Sequence, residues 1–401
     1  MNKFTIKNIV FPFGILFILN SCINSDKKPQ SNSTNEDNVD SSQSSPNDPI
    51  FHVTAGVLAG DTNFSREYIP KYALTSEFKS LNRDLNLLWD QSAKNRLTIS
   101  EWASKELEDV NRFNGALFYP FSGADFLHAN LFFPNSEEII MIALEPKGSF
   151  VNISQLDNNM QLADYMFKFN KSLSDILRFS FFRTVSMNSD FRRQLDGNLS
   201  VFLYFFYKTG HRLLNIEPIS IDNKGMLVVD SIITTSYSQG FRFYYQRNGE
   251  DKVRTLVYFS ANIQDGPYTI GDKILLPGLN ENKNLLLFLE KQKIHVTYLK
   301  SASYLLHDSY FSKIRNLILE KSQNILQDDS GIPINFFNTS QWHLKYYGKY
   351  DRPIKLFDFR FQLELQKAYE FDSANVGNLP FGIGYKYFPG TSNLQLAKRK
   401  I

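Results

Sequence analysis

Apolar residues spaced three and four apart mark the first amphipathic segment, with Leu74, Phe78, Leu81, Leu85 and Leu88 on one face of a helix from Tyr72 to Trp89. A second helix is predicted from Ser100 to Val110, capped by Ser100, and the two read as an N-terminal helical hairpin. The pattern then shifts to short unbroken apolar runs, Ala116 to Phe121 and Glu138 to Leu144, which fit strands buried on both faces. Between them Ser122 to Phe133 has room for one short helix. A helical repeat returns at Leu156, Met160, Ala163, Phe167, Leu173 and Ile176, and again from Leu199 to Lys208.

Four extended segments follow, Arg212 to Ile221, Met226 to Thr235, Phe241 to Arg247 and Val253 to Ile263. Glycine-containing turns at Gly225, Gly240 and Gly249 separate them, the spacing of an antiparallel meander. Beyond these the pattern predicts a helix at Leu285 to Leu289, a strand at Ile294 to Leu299 and an amphipathic helix from Tyr310 to Leu326. A strand at His343 to Tyr347, a helix around Phe361 to Phe371 and a glycine-rich end at Gly382 and Gly384 complete the chain. No internal repeat has a fixed period. The expected fold is α+β, a mixed or antiparallel central sheet with flanking helices, in one globular region over residues 50–401 with a candidate sub-boundary near 210.

The N-terminus has a separate pattern. Lys3 and Lys7 precede the apolar run Ile9 to Leu19, about eleven residues long, the size of a signal-peptide core and short of the roughly 20 residues that span a bilayer. The run ends in Leu19-Asn20-Ser21-Cys22, which resembles the lipobox of bacterial lipoproteins. That resemblance implies a signal peptide over residues 1–21 and a lipidated Cys22 that anchors the mature protein to a membrane at the cell envelope. Ile23, where an aspartate marks inner-membrane retention in some bacteria, leans towards the outer membrane. From Asn24 to Pro49 the chain is almost wholly Ser, Asn, Asp, Lys, Gln and Pro, a flexible tether. Cys22 is also the only cysteine in 401 residues, so the mature region has neither a disulfide nor a thiolate site.

With 44 basic and 41 acidic residues the formal charge is +3, too small for phosphate neutralisation, and nucleic-acid binding is set aside. The 36 Phe and 20 Tyr are an unusual load, most of it expected in the core. An exposed minority would suit a binding platform for a glycan or protein ligand, with Trp342, Tyr346 and Tyr347 as the candidates.

Three groups of residues bear on chemistry. Ser122, Asp125 and His128 lie where a predicted strand runs into a short helix, with Ser122 placed to cap it and Asp125 and His128 three apart on one face. A helix cap is the commoner use of this pattern, and the glycines of a nucleophile elbow are missing. Asp328 and Asp329 fall at the predicted C-terminus of the helix Tyr310 to Leu326, where acids oppose the helix dipole by about 0.3 to 1 kcal/mol and so call for a partner. The six histidines form no local zinc spacing, and no cofactor or metal motif is present. Two functions stand: a binding or interaction protein at the cell envelope, and a hydrolase in which Asp125 and His128 work with Ser122 or water and are supported by Asp328 or Asp329.

Overall fold

A computed structural model describes residues 49–64, 69–113, 115–150, 198–229, 238–270, 273–371 and 375–400, with isolated helical positions between 163 and 177. The signal segment, Cys22 and the tether up to residue 48 lie outside the described residues, as does most of the helical repeat from Leu156 to Ile176.

Helix α1 (Pro49–Leu58) opens the described chain and is followed by α2 (Ser76–Gln91) and α3 (Ala93–Glu106), separated only by Ser92. The Thr75 hydroxyl caps α2, accepting the Phe78 N–H, and the second helix begins at Ala93 rather than Ser100. A short turn, α4 (Glu108–Asn111), leads to β1 (Ala116–Pro120), α5 (Phe126–Phe132), β2 (Glu138–Ala143) and α6 (Leu199–Lys208). Strands β3 (His211–Ile221), β4 (Leu227–Val229), β5 (Gln239–Arg247) and β6 (Arg254–Ser260) come next, then a small hairpin of β7 (Tyr268–Ile270) and β8 (Lys273–Leu276). The chain continues through α7 (Lys283–Lys291), β9 (Ile294–Leu299), α8 (Ser312–Lys321), β10 (Asn324–Gln327), β11 (Trp342–Gly348), α9 (Leu363–Phe371) and β12 (Asn393–Arg399).

Ten strands make one sheet in the order β11-β12-β10-β9-β1-β2-β6-β5-β3-β4. Its centre is parallel, with β10, β9, β1, β2 and β6 side by side, and both ends are antiparallel. The expected mixed sheet with flanking helices is therefore present. Because β2 pairs with β6, the sheet runs unbroken across residue 210. The meander order is corrected: β3 pairs with both β4 and β5, so β4 hangs on the sheet edge and β5 joins β3 to β6.

Successive residues of the central strands feed two cores. Leu117, Tyr119, Ile139, Met141, Leu256 and Tyr258 face the layer that α1, α2, α3, α5 and α6 supply. Phe118, Ile140, Ile142, Val257 and Phe259 face the opposite layer, built by α7 and α8. Burial on both sides explains why β1 and β2 read as apolar runs, with each large side chain contributing about 1.5 to 3 kcal/mol.

This covering sets up one special place. The loop leaving β1 runs into α5 on one face and returns to β2, whereas the loop leaving β9 reaches α8 on the other face and returns to β10. Adjacent parallel strands whose connections diverge in this way form a topological switch point, and the crevice beyond their carboxyl ends is where open α/β sheets bind ligands.

Candidate functional site

The carboxyl ends of β1, β9 and β10 carry the polar residues Asp125, Lys300, Ser301, Asp328 and Asp329, with Asp125, Lys300, Asp328 and Asp329 all at most 7% exposed. Asp125, not Ser122, caps α5: its carboxylate accepts the His128 N–H at 3.2 Å. Ser122 instead donates its hydroxyl to the Gly123 carbonyl at 3.0 Å. The expected Ser122 cap is thus replaced by Asp125, three residues later, because the chain first makes a turn through Phe121, at φ 61°, and Gly123, at φ 57°.

Asp125 is the hub of a buried network. It accepts the Tyr119 hydroxyl at 2.8 Å and the Lys300 ammonium, and His128 Nδ1 lies 2.8 Å from its other oxygen. Lys300 Nζ is 3.1 Å from the same His128 nitrogen. An ionised carboxylate only accepts, so Nδ1 carries the proton and Nε2 is the basic nitrogen. Burial opposes charge on Asp125, yet His128 and Lys300 beside it hold its carboxyl well below the usual carboxylate range. Burial lowers His128 below the ordinary imidazole value, with Asp125 working against it and Lys300 reinforcing it. Lys300 is lowered by burial and supported by Asp125. The geometry is that of an Asp125–Lys300 ion pair beside an imidazole held below its ordinary value.

The second group sits one residue away. Helix α8 ends at Lys321, and the predicted last turn of that helix is instead strand β10, so Asp328 and Asp329 follow a strand. The expected conflict with a helix dipole is thereby removed, and the two acids stand at the carboxyl edge beside Lys300. Asp328 accepts the Ser301 N–H at 2.9 Å and the Ser330 N–H at 3.0 Å. Burial and the neighbouring Asp329 charge raise its carboxyl to about 6, against the pull of these hydrogen bonds. Asp329 accepts the Asn393 amide at 2.9 Å and the Tyr304 hydroxyl. His307 packs its ring 5.2 Å from Tyr304, and burial with Arg360 and Arg315 lowers it to about 3.

Lys300 and Ser301 link the two groups, and neither was singled out from the sequence. Ser301, Ser303 and Tyr304 all have left-handed backbone, at φ 53°, 52° and 57°. Non-glycine residues pay about 1 to 2 kcal/mol for that conformation, and such strain clusters at functional sites. The Ser301 hydroxyl is buried with no partner. A methyl group built on Gly384 would lie 2.4 Å from Asp328 Oδ2 and 3.1 Å from Ser301 Oγ, so the two oxygens flank one point. Tyr385 closes this corner, its hydroxyl 3.0 Å from the Ser301 carbonyl and 2.7 Å from Ser303 Oγ.

The aromatic candidates do not form a shared exposed face. They lie on β11, but Trp342 and Tyr347 are buried, on opposite sides of the strand, and only Tyr346 is half-exposed. Among the described residues, no group of three or more His, Cys, Asp or Glu side chains is placed to hold a metal ion. A cleft of about 390 Å³ lined by Gly60, Thr62, Asn82 and Arg83 lies on α2 and includes none of the carboxyl-edge residues. No protein-family model, curated protein or solved structure matches the chain.

Proposed function

We propose that the protein is an envelope lipoprotein, anchored through Cys22, whose globular region is a hydrolase with its centre at the carboxyl edge of β1, β9 and β10. One observation carries the reading: a buried acid, a buried lysine, an unpaired serine hydroxyl and three left-handed residues meet at the switch point of the sheet. Perturbed titratable groups and backbone strain concentrate where chemistry is done. The aromatic burial on β11 takes away the support for a glycan or protein platform there.

In this reading Ser301 is the nucleophile and Asp328 the base. Near neutral pH Asp328 is largely ionised and takes the Ser301 proton as Oγ attacks the carbonyl carbon of an ester. It then returns the proton to the leaving alkoxide. Water, deprotonated by the same carboxylate, hydrolyses the acyl-serine and regenerates the hydroxyl. Lys300, held by Asp125, places a positive charge beside the developing oxyanion.

The test is hydrolysis of soluble short-chain nitrophenyl esters by the full chain in detergent, with labelling by a fluorophosphonate and peptide mass spectrometry. Ser301→Ala and Asp328→Asn should each lower turnover by about 10²-fold or more, whereas Ser122→Ala should leave it intact. Turnover that survives Ser301→Ala, a label on another residue, or neither turnover nor label sinks the reading.

A further inference from the structure

The covering of this site has two unlike sides. Its inner side is bonded to the polar centre: Phe357 is buried with its ring 4.9 Å from Tyr304 and 5.3 Å from Tyr385, and Gln362 donates to the Asp329 carbonyl at 3.1 Å. Its outer side carries exposed apolar residues, with the exposed acids Asp358 and Glu364 among them facing Arg352 and Lys367. Leu356, Phe359, Phe361 and Leu363 are 42 to 61% exposed within eight residues of chain, and Phe388, just beyond Tyr385, is 62% exposed. Isolated exposed apolar residues are ordinary, but a run of four over a buried polar centre marks an interaction surface.

The chain also carries what would bring that surface to a bilayer. The 27 residues from Cys22 to Asp48, read from the sequence as a tether, join the expected anchor to helix α1. A tether of that length holds the apolar run at high local concentration near the lipid, so a weak contact suffices. Exposed Lys355 begins the run, and Lys386 lies over Tyr350, whose ring stacks on Phe361; with Asp358 facing Arg352 and Glu364 facing Lys367, Lys355 and Lys386 remain as border cations where anionic headgroups would lie.

We propose that residues 355–363 together with Phe388 form a membrane-docking cover, and that the substrate beneath it is a membrane lipid ester. The proposal rests on the hydrolase reading above. Docking places Leu356, Phe359, Phe361 and Leu363 among acyl chains and frees Phe357 and Gln362 from the site, opening Ser301 to a lipid drawn from the same leaflet.

The test uses the full chain with Cys22→Ser, which removes the anchor, and vesicles of phosphatidylethanolamine and phosphatidylglycerol. Phe359→Ser with Leu363→Ser should cut vesicle co-flotation by roughly tenfold or more and abolish cleavage of vesicle lipid. Hydrolysis of a soluble short-chain ester should be unaffected, which also shows that these exposed positions leave the fold intact. Co-flotation that is absent, or indifferent to the two substitutions, overturns the docking cover. Soluble ester turnover that depends on Ser301, without cleavage of vesicle lipid, overturns the lipid substrate and leaves the hydrolase reading standing. Turnover indifferent to Ser301→Ala removes that reading itself and the proposal with it.

Discussion

Replacing Lys300 by methionine isolates the charge that holds the two halves of the site together. The Lys300 and Asp125 side chains are 3% and 1% exposed, so the substitution strands a carboxylate where water does not reach. Removing one partner of such a pair costs about 3 to 5 kcal/mol, against little for the lost volume because methionine fills the stem's space. Asp125 keeps the Tyr119 hydroxyl at 2.8 Å and the His128 N–H at 3.2 Å, which places the loss towards the lower end. The histidine adds a pH signature. In the native protein burial keeps His128 below its ordinary value, Asp125 opposes it and Lys300 reinforces it, so without Lys300 the imidazole rises relative to the native protein while burial still holds it down. A histidine that is less depressed in the folded state loses less stability as pH falls, which offsets part of the damage at low pH and none of it at high pH. Lys300→Met should therefore be more damaging at about pH 8 than at about pH 6. Urea unfolding of the Cys22→Ser chain, followed by tryptophan fluorescence, measures both. Adding Asp125→Asn, which keeps the helix cap, should recover about 2 kcal/mol or more of the loss. A cost below about 1 kcal/mol, or a loss indifferent to Asp125→Asn, would refute the ion pair.

Two further predictions concern the other half of the site. Burial and Asp329 raise the folded Asp328 carboxyl to about 6 from its ordinary 3.8, so between those values the folded state binds the extra proton and stability falls as pH rises. Relative to the native protein, Asp328→Asn should gain about 2 to 4 kcal/mol between about pH 4 and pH 7 in urea titrations; a flat difference would contradict the raised carboxyl. Gly384→Ala forces a left-handed alanine and a methyl 2.4 Å from Asp328 Oδ2, whereas Gly390→Ala, at φ 78°, meets open space. Thermal unfolding should show Gly390→Ala losing only the roughly 1 to 2 kcal/mol of backbone strain and Gly384→Ala clearly more, with ester turnover impaired in the second alone.

The strands and helices that bury complete apolar faces were legible in the sequence. Helix Leu199–Lys208 and strand Ile294–Leu299 fall at the expected residues because every competing assignment would expose several large side chains. The error at Tyr310 to Leu326 has a simple origin. Ile318 and Ile325 keep helical spacing across Lys321, and only pairing with β9 and β12 makes Asn324 to Gln327 a strand. Strand β12 was hidden because Asn393 and Gln395 are buried among its apolar residues, where Gln395 meets Gln327 and Asn393 meets Asp329. Asp125, His128, Asp328 and Asp329 stood out as polar residues beside apolar runs, but Lys300 read as the charged end of a strand. Ser301 carried no signal, since a left-handed serine is set by the loop around it and not by its own preference.

The physical costs of this fold fall unevenly. A buried ion pair is usually no more stabilising than well-packed apolar residues of the same volume, and each left-handed non-glycine residue works against folding. Asp125, Lys300, Asp328, Phe121, Ser301, Ser303 and Tyr304 bring all of these penalties to one edge of the sheet. A purely structural joint between β1, β9 and β10 needs none of them: leucine and glycine at these positions would pack the same switch point with less strain. On the proposed hydrolase reading, the concentration of charge and strain at the place where open sheets admit ligands follows from the need to hold Ser301 beside Asp328.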